Sequence, residues 1–282
     1  MKHVVLMILF LIVYFSIMCL SFVIKKSNTL PKIIWTYWDK DIPDIILKFI
    51  ADWKYLNPTW TLNVITKNTL PLYVKKSELP HRFYDGKETP QHCSDIVRVM
   101  LLYKYGGVWV DGSTIMMRPL DWVLEEFNNT NIHYLGYYMP SFTTNKEKPI
   151  IENWFMASKP NTKFLRLLKD EMIKAFGKRL TYIENIIKTK QFDSQNIPKD
   201  LRSYLWMHVI IQKVLCENSI EIATFKLFDA YKDAFALQGK FHWSSNTVAS
   251  HIETKEFWQN KNGYNIIKLR NEERNKLILT KS

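Results

Sequence analysis

The first apolar run sets itself apart from the rest of the chain. Residues 4–24, VVLMILFLIVYFSIMCLSFVI, carry no charged side chain. At about 1.5 Å per residue the run matches a helix crossing an apolar bilayer core of about 30 Å, and no cleavage site of small residues follows it. The pattern predicts an N-terminal membrane anchor over residues 1–28 and a single-pass membrane protein. Lys2 before the run, against Lys25, Lys26 and Lys32 after it, leans weakly toward a cytoplasmic main domain. On a lumenal domain the sequon Asn128-Asn129-Thr130 would be open to glycosylation.

Beyond it the period changes. Residues 30–38, LPKIIWTYW, read as a strand with Pro31 at its edge. Apolar positions 45, 46, 49, 50 and 53 form a helical stripe that stops at Asn57-Pro58, and residues 62–66 read as a second strand. This β-α-β unit is the start of a parallel, nucleotide-binding sheet. Residues 68–90, with prolines at 71, 80 and 90, are predicted to be loop. Next, Ile96 to Tyr103 is apolar nearly all round, the mark of a buried helix. Ser94 suits its N-cap, Asp95 its first turn, and Gly106-Gly107 its left-handed stop. Val108-Trp109-Val110 then reads as a buried strand running into Asp111-Gly112-Ser113-Thr114.

A short helix is expected over 122–127, strands over 132–139 and 153–158, and a polar loop between those two strands. Helices follow over about 162–177, 181–190 and 199–217. The division expected is an anchor over 1–28, one α/β domain over 29–251, and a tail over 252–282 that is a peripheral helix or partly loose.

Composition narrows the partners. Of the 282 residues 47% are hydrophobic and 14% aromatic, so the chain folds, and a net charge of +12 calls for an acidic partner. The lysines are scattered and form no basic run, which argues against a nucleic-acid arm. Cys19, Cys93 and Cys216 have no paired or metal-ligand spacing, so neither a disulfide framework nor a zinc site is expected.

Asp95 and Arg98, three apart, share one helical face. A buried guanidinium needs an anion, and Asp95 either serves as a structural partner or joins Arg98 in a pocket that takes a ligand. Asp111 lies beyond the carboxyl end of a strand, where open α/β sheets bind ligands. It either caps a turn or, with the Ser113 hydroxyl, supplies the hard oxygen ligands that Mg²⁺ or Mn²⁺ prefers, and Gly112 permits close approach to the backbone. Trp38 either stacks on a base or packs in the core. His208, within an apolar helix, reads as a core residue, whereas His242 lies in a non-helical stretch.

The segment S-D-I-V-R-V-M-L-L-Y-K-Y-G-G-V-W-V-D-G-S-T, followed by R-P-L-D, resembles the capsular polysaccharide synthesis proteins, relatives of glycosyltransferase family 32. The likeness extends over residues 31 to about 245 and is strongest at 91–121. It implies a GT-A-like nucleotide-diphospho-sugar transferase fold, a Rossmann-like, mainly parallel sheet flanked by helices. It assigns Asp95 and Arg98 to the donor sugar and its phosphates, and Asp111 to a divalent metal, Mn²⁺ or Mg²⁺. Trp38 is placed by the nucleotide base and Glu152 or Asn153 by sugar. His242, in F-H-W-S, is directed at the metal or the diphosphate. Ser113 stands where many relatives carry a second Asp, which leaves Asp111, Ser113 and His242 as the expected metal set. The expected activity is a membrane-anchored, retaining glycosyltransferase that moves sugar from a nucleotide-diphosphate sugar to a glycan, polysaccharide or lipid-linked acceptor. The alternative, motivated by Ser113, is a tethered sugar- or nucleotide-binding protein without turnover.

Overall fold

Strand β1 (Ile33–Tyr37) alternates between two cores: Ile34 enters one, Trp35 and Tyr37 the other. That alternation is the period-two pattern of a strand buried on both faces. Around it a computed structural model, describing residues 29–189, 192–259 and 263–277, builds a six-stranded sheet between two helical layers. The other strands are β2 (Thr61–Ile65), β3 (Gly107–Val110), β5 (Tyr134–Tyr138), β6 (Ile151–Ser158) and β7 (Phe225–Asp229), in the order β2-β1-β3-β6-β5-β7. All run the same way except β6, which is antiparallel to both neighbours. The mainly parallel α/β sheet expected from the sequence is therefore present.

The chain leaves β1 in one direction for β2 and returns to its other side as β3, so the sheet reverses its winding between β1 and β3. The carboxyl ends of those two strands are where such sheets bind ligands. Helix α1 (Asp44–Leu56) covers one face with Ile46, Phe49 and Trp53. Helix α2 (Pro90–Tyr105) packs on the other. It begins a turn earlier than expected, because Pro90 sits naturally in a first turn and the Thr89 hydroxyl accepts from the His92 amide. Ser94, expected as the cap, lies inside the helix. At its far end Gly106 and Gly107 adopt φ of +65° and +97°, as the left-handed stop requires.

Strand β4 (Thr114–Met116) and helix α3 (Asp121–Asn129) follow the sheet's centre. Helices α4 (Lys163–Ala175), α5 (Arg179–Thr189) and α6 (Trp206–Glu217) continue the layer of α2. Helix α6 starts later than the apolar pattern suggests. Arg202, buried, donates to the carbonyls of Ile197 and Gln195 and holds the residues before Trp206 in turns.

The stretch beyond 252 is not peripheral. After α7 (Ala236–Lys240), α8 (Ser245–Ile252) and α9 (Lys255–Gln259), strand β8 (Ile266–Lys268) pairs antiparallel with β4, and α10 (Asn271–Lys276) follows. Ile266, Ile267 and Leu269 are buried in the core that Ile34 enters. The expected single-pass membrane placement is also corrected: among the described residues no helix is long and apolar enough to cross a membrane. The proposed anchor, residues 4–24, lies outside the described residues.

Candidate active site

The turn after β3 is held from three sides. The Asp111 amide donates to the Trp154 carbonyl and so extends the pairing of β3 with β6. The Leu269 amide donates to Ser113 O, and the Trp53 indole donates to Thr114 O at 3.0 Å. One amide and two carbonyls of a short acidic turn are fixed in this way, so the side chains start from a rigid backbone.

At its centre lies Arg98. Its Nη2 is 3.1 Å from Asp95 Oδ1 and 3.4 Å from Asp111 Oδ1. The same guanidinium donates to the Asn153 carbonyl, to Ser94 Oγ and to Ser94 O, and lies over the Trp109 ring at 4.9 Å. With the side chain only 5% exposed, this full set of partners is what makes a buried guanidinium tolerable.

The two carboxylates differ. Asp95, 6% exposed, accepts from the Trp206 indole at 2.6 Å and from Asn153 Nδ2 at 3.1 Å. Burial nevertheless pushes its carboxyl up to about 6, against the opposing pull of Arg98 and the Trp206 N–H. Asp111 keeps 27% of its side chain exposed and is the member that faces solvent. It accepts from the Trp109 indole at 3.0 Å and from Lys268 Nζ at 3.1 Å. Burial alone would raise it, but Lys268 and then Arg98 outweigh that and hold it below the usual carboxylate range.

Of the residues singled out in the sequence, Asp95, Arg98, Asp111, Ser113 and Asn153 meet in one cluster. Trp38 also arrives, since a Cβ on Gly112 would lie 3.2 Å from its ring and 3.1 Å from Ile46. Gly112 therefore makes room for Trp38 and Ile46. The guanidinium of Arg274 lies 5.9 Å from the Trp38 ring, leaving an aromatic face and a cation beside the acidic turn.

Of the expected metal set, Asp111 and Ser113 meet and His242 does not join them. Ser113 Oγ accepts from Lys268 Nζ at 2.8 Å, so one ammonium ties together the two oxygens assigned to a divalent ion. His242 is exposed on a turn with φ of +48°, and among the described residues its ring bonds neither Asp111 nor Ser113. No group of three or more His, Cys, Asp or Glu able to hold a metal occurs among the described residues. One carboxylate and one hydroxyl, already sharing an ammonium, do not fit a resident divalent cation. Glu152 is buried too, hydrogen-bonded to His208 Nε2 at 3.1 Å, so His208 is the core residue expected, with a polar partner.

Lys268, Trp109 and Trp206 escaped sequence reasoning. The signal for Lys268 was a single charge in the apolar run Ile266-Ile267-Lys268-Leu269, a pattern of a buried strand with one functional side chain.

A family model described as capsular polysaccharide synthesis protein matches residues 15–278. Among curated proteins, "Glycosyltransferase afumC" of Aspergillus fumigatus is 32% identical over 101 residues, covering 31% of this chain and 26% of that protein. "O-glycosyltransferase braB" of Annulohypoxylon truncatum is 27% identical over 158 residues, covering 50% and 37%. The initiation-specific alpha-1,6-mannosyltransferase of Candida albicans is 27% identical over 113 residues, covering 36% and 29%. The chain thus spans well under half the length of the curated relatives it matches. Among solved structures, the UDP-bound glycosyltransferase domain from the YGT toxin aligns with a TM-score of 0.43 at 11% identity, covering 80% of this chain and 89% of that one. A glycosyltransferase involved in glycosylation of the major capsid of PBCV-1 gives 0.43 at 9% identity, covering 86% and 96%.

Proposed function

The chain belongs to the capsular polysaccharide synthesis protein family, and from that premise we propose that it is a GT-A-like glycosyltransferase using a nucleotide-diphosphate sugar. The observation that carries this reading is Asp111. It is the solvent-facing member of a cluster of two carboxylates and two cations at the point where the sheet reverses its winding. The glycosyltransferase names of several curated relatives support it.

In the proposed reaction an acceptor hydroxyl oxygen bonds the anomeric carbon and gives up its proton to the departing diphosphate or to water. The bond from that carbon to the diphosphate breaks, and the nucleoside diphosphate leaves with the electron pair. Cations fixed before the reaction stabilise that growing negative charge without reorganising. Lys268 meets the leaving oxygens, Asp111 holds Lys268 in place, and Arg98 locks both carboxylates while lying too deep to move. Asp95 and Asn153 brace Arg98. Trp38, with Arg274 beside it, offers a flat face to the base. The acceptor is a glycan or another hydroxyl-bearing molecule. The catalytic unit extends at least through β8, which supplies Lys268.

Donor hydrolysis tests this without knowledge of the acceptor. The purified chain is expected to release nucleoside diphosphate from one member of a nucleotide-sugar panel. Asp111→Asn should lower that rate about 100-fold or more, with an unchanged circular dichroism spectrum. Wild-type rates in Asp111→Asn would sink the assignment.

A further inference from the structure

Lys268 is not a loose surface lysine that has folded onto an acid. Its amide donates to the Ala234 carbonyl, its own carbonyl accepts from Gln238 Nε2 at 2.8 Å, and its register on β4 places it opposite Thr114. Its side chain is 13% exposed. The ammonium has three N–H groups. Two meet Asp111 Oδ2 and Ser113 Oγ, and among the described residues the third has no partner. The cluster's formal charges cancel: Asp95 and Asp111 against Arg98 and Lys268. A divalent ion on Asp111 and Ser113 would have to displace this ammonium or stand against it with like charge.

We propose that the Lys268 ammonium takes the place of a bound divalent cation. Resting on the nucleotide-sugar reading above, Lys268 stays on Asp111 and Ser113 and gives its third N–H to a diphosphate oxygen of the donor. Ser113 then has a specific use. A second carboxylate there would draw metal and overcharge the turn, whereas a hydroxyl accepts one bond from the ammonium and leaves the cluster neutral. Donor binding by this chain therefore survives chelation.

Two measurements on the full chain decide it. In the first, Mn²⁺ alone is titrated and free ion is read by electron paramagnetic resonance. The wild type is expected to leave the ion free. Binding at one equivalent, lost in Asp111→Asn, would overturn the proposal. In the second, uridine, guanosine and adenosine diphosphates are titrated by calorimetry in EDTA and in Mn²⁺. One is expected to bind equally well in both, and Lys268→Met should weaken it about ten- to a hundredfold while Lys268→Arg recovers part of the loss. Binding seen only with Mn²⁺ would overturn the proposal even if Lys268→Met did not fold. Should no diphosphate bind in either condition, the donor reading fails, and the Mn²⁺ titration still decides whether the ammonium excludes the metal.

Discussion

Asp95 and Asp111 flank the same guanidinium, yet their carboxyls shift in opposite directions. The difference is position. Asp95 is sealed under α6, so desolvation outweighs its donors, whereas Asp111 has a second cation in Lys268. A pH dependence follows for Asp95. Its folded-state value, about 6, stands above the ordinary 3.8, so the folded chain holds this proton more tightly than the unfolded one. That contribution is complete below the unfolded value and is lost as pH rises through about 6. Asp95→Asn has no such loss, so its stability relative to wild type should rise by on the order of 2–3 kcal/mol between about pH 4 and about pH 7. Urea unfolding of both proteins across that range checks it, and a flat difference would show that Asp95 is not strained by burial.

At the scale of elements the site depends on a turn and on a strand from far along the chain. Gly107 opens β3 at φ of +97°, and a Cβ there would lie 2.5 Å from the Ile33 carbonyl oxygen of β1. Both objections act on the backbone, where no side chain can yield. Gly107→Ala should therefore cost about 2–4 kcal/mol, seen as a lower denaturant midpoint. A midpoint within error of wild type would mean that β1 and β3 can part at little cost. Strand β8 works differently. Its apolar residues anchor it in the core, and that anchorage delivers Lys268 to a turn more than 150 residues earlier in the sequence.

For the whole molecule the surplus charge and the site are separable. The cluster is neutral, while the chain carries +12. Under the proposed function, attraction of an anionic donor over distance would come from the surface at large, and its hold at close range from Lys268 and nearby groups. Exposed charges are screened within about 10 Å at 0.1 M salt, and buried pairs far less. Raising salt from about 0.05 to about 0.5 M should slow donor association several-fold and change dissociation little, as stopped-flow tryptophan fluorescence would show. A dissociation rate that carries most of the salt effect would contradict this division.

The sequence by itself marked the elements that lead into the cluster and named most of its residues, because both are written locally. A helical apolar stripe marked α1, short strand-type runs marked β1 and β2, a wholly apolar run marked β3, paired glycines marked the end of α2, and Asp95 and Arg98 share a face because α-helical geometry brings residues three apart together. Asp111 was legible from the strand in front of it. The tertiary structure alone decided which cation meets Asp111. Lys268 is joined to it by no local rule, only by the pairing of β8 with β4, and long-range strand pairing leaves no spacing in one sequence. The same is true of His242, whose motif pointed at the site while its backbone carried it onto an exposed turn. Local chemistry named the carboxylates, and topology chose their counter-ion.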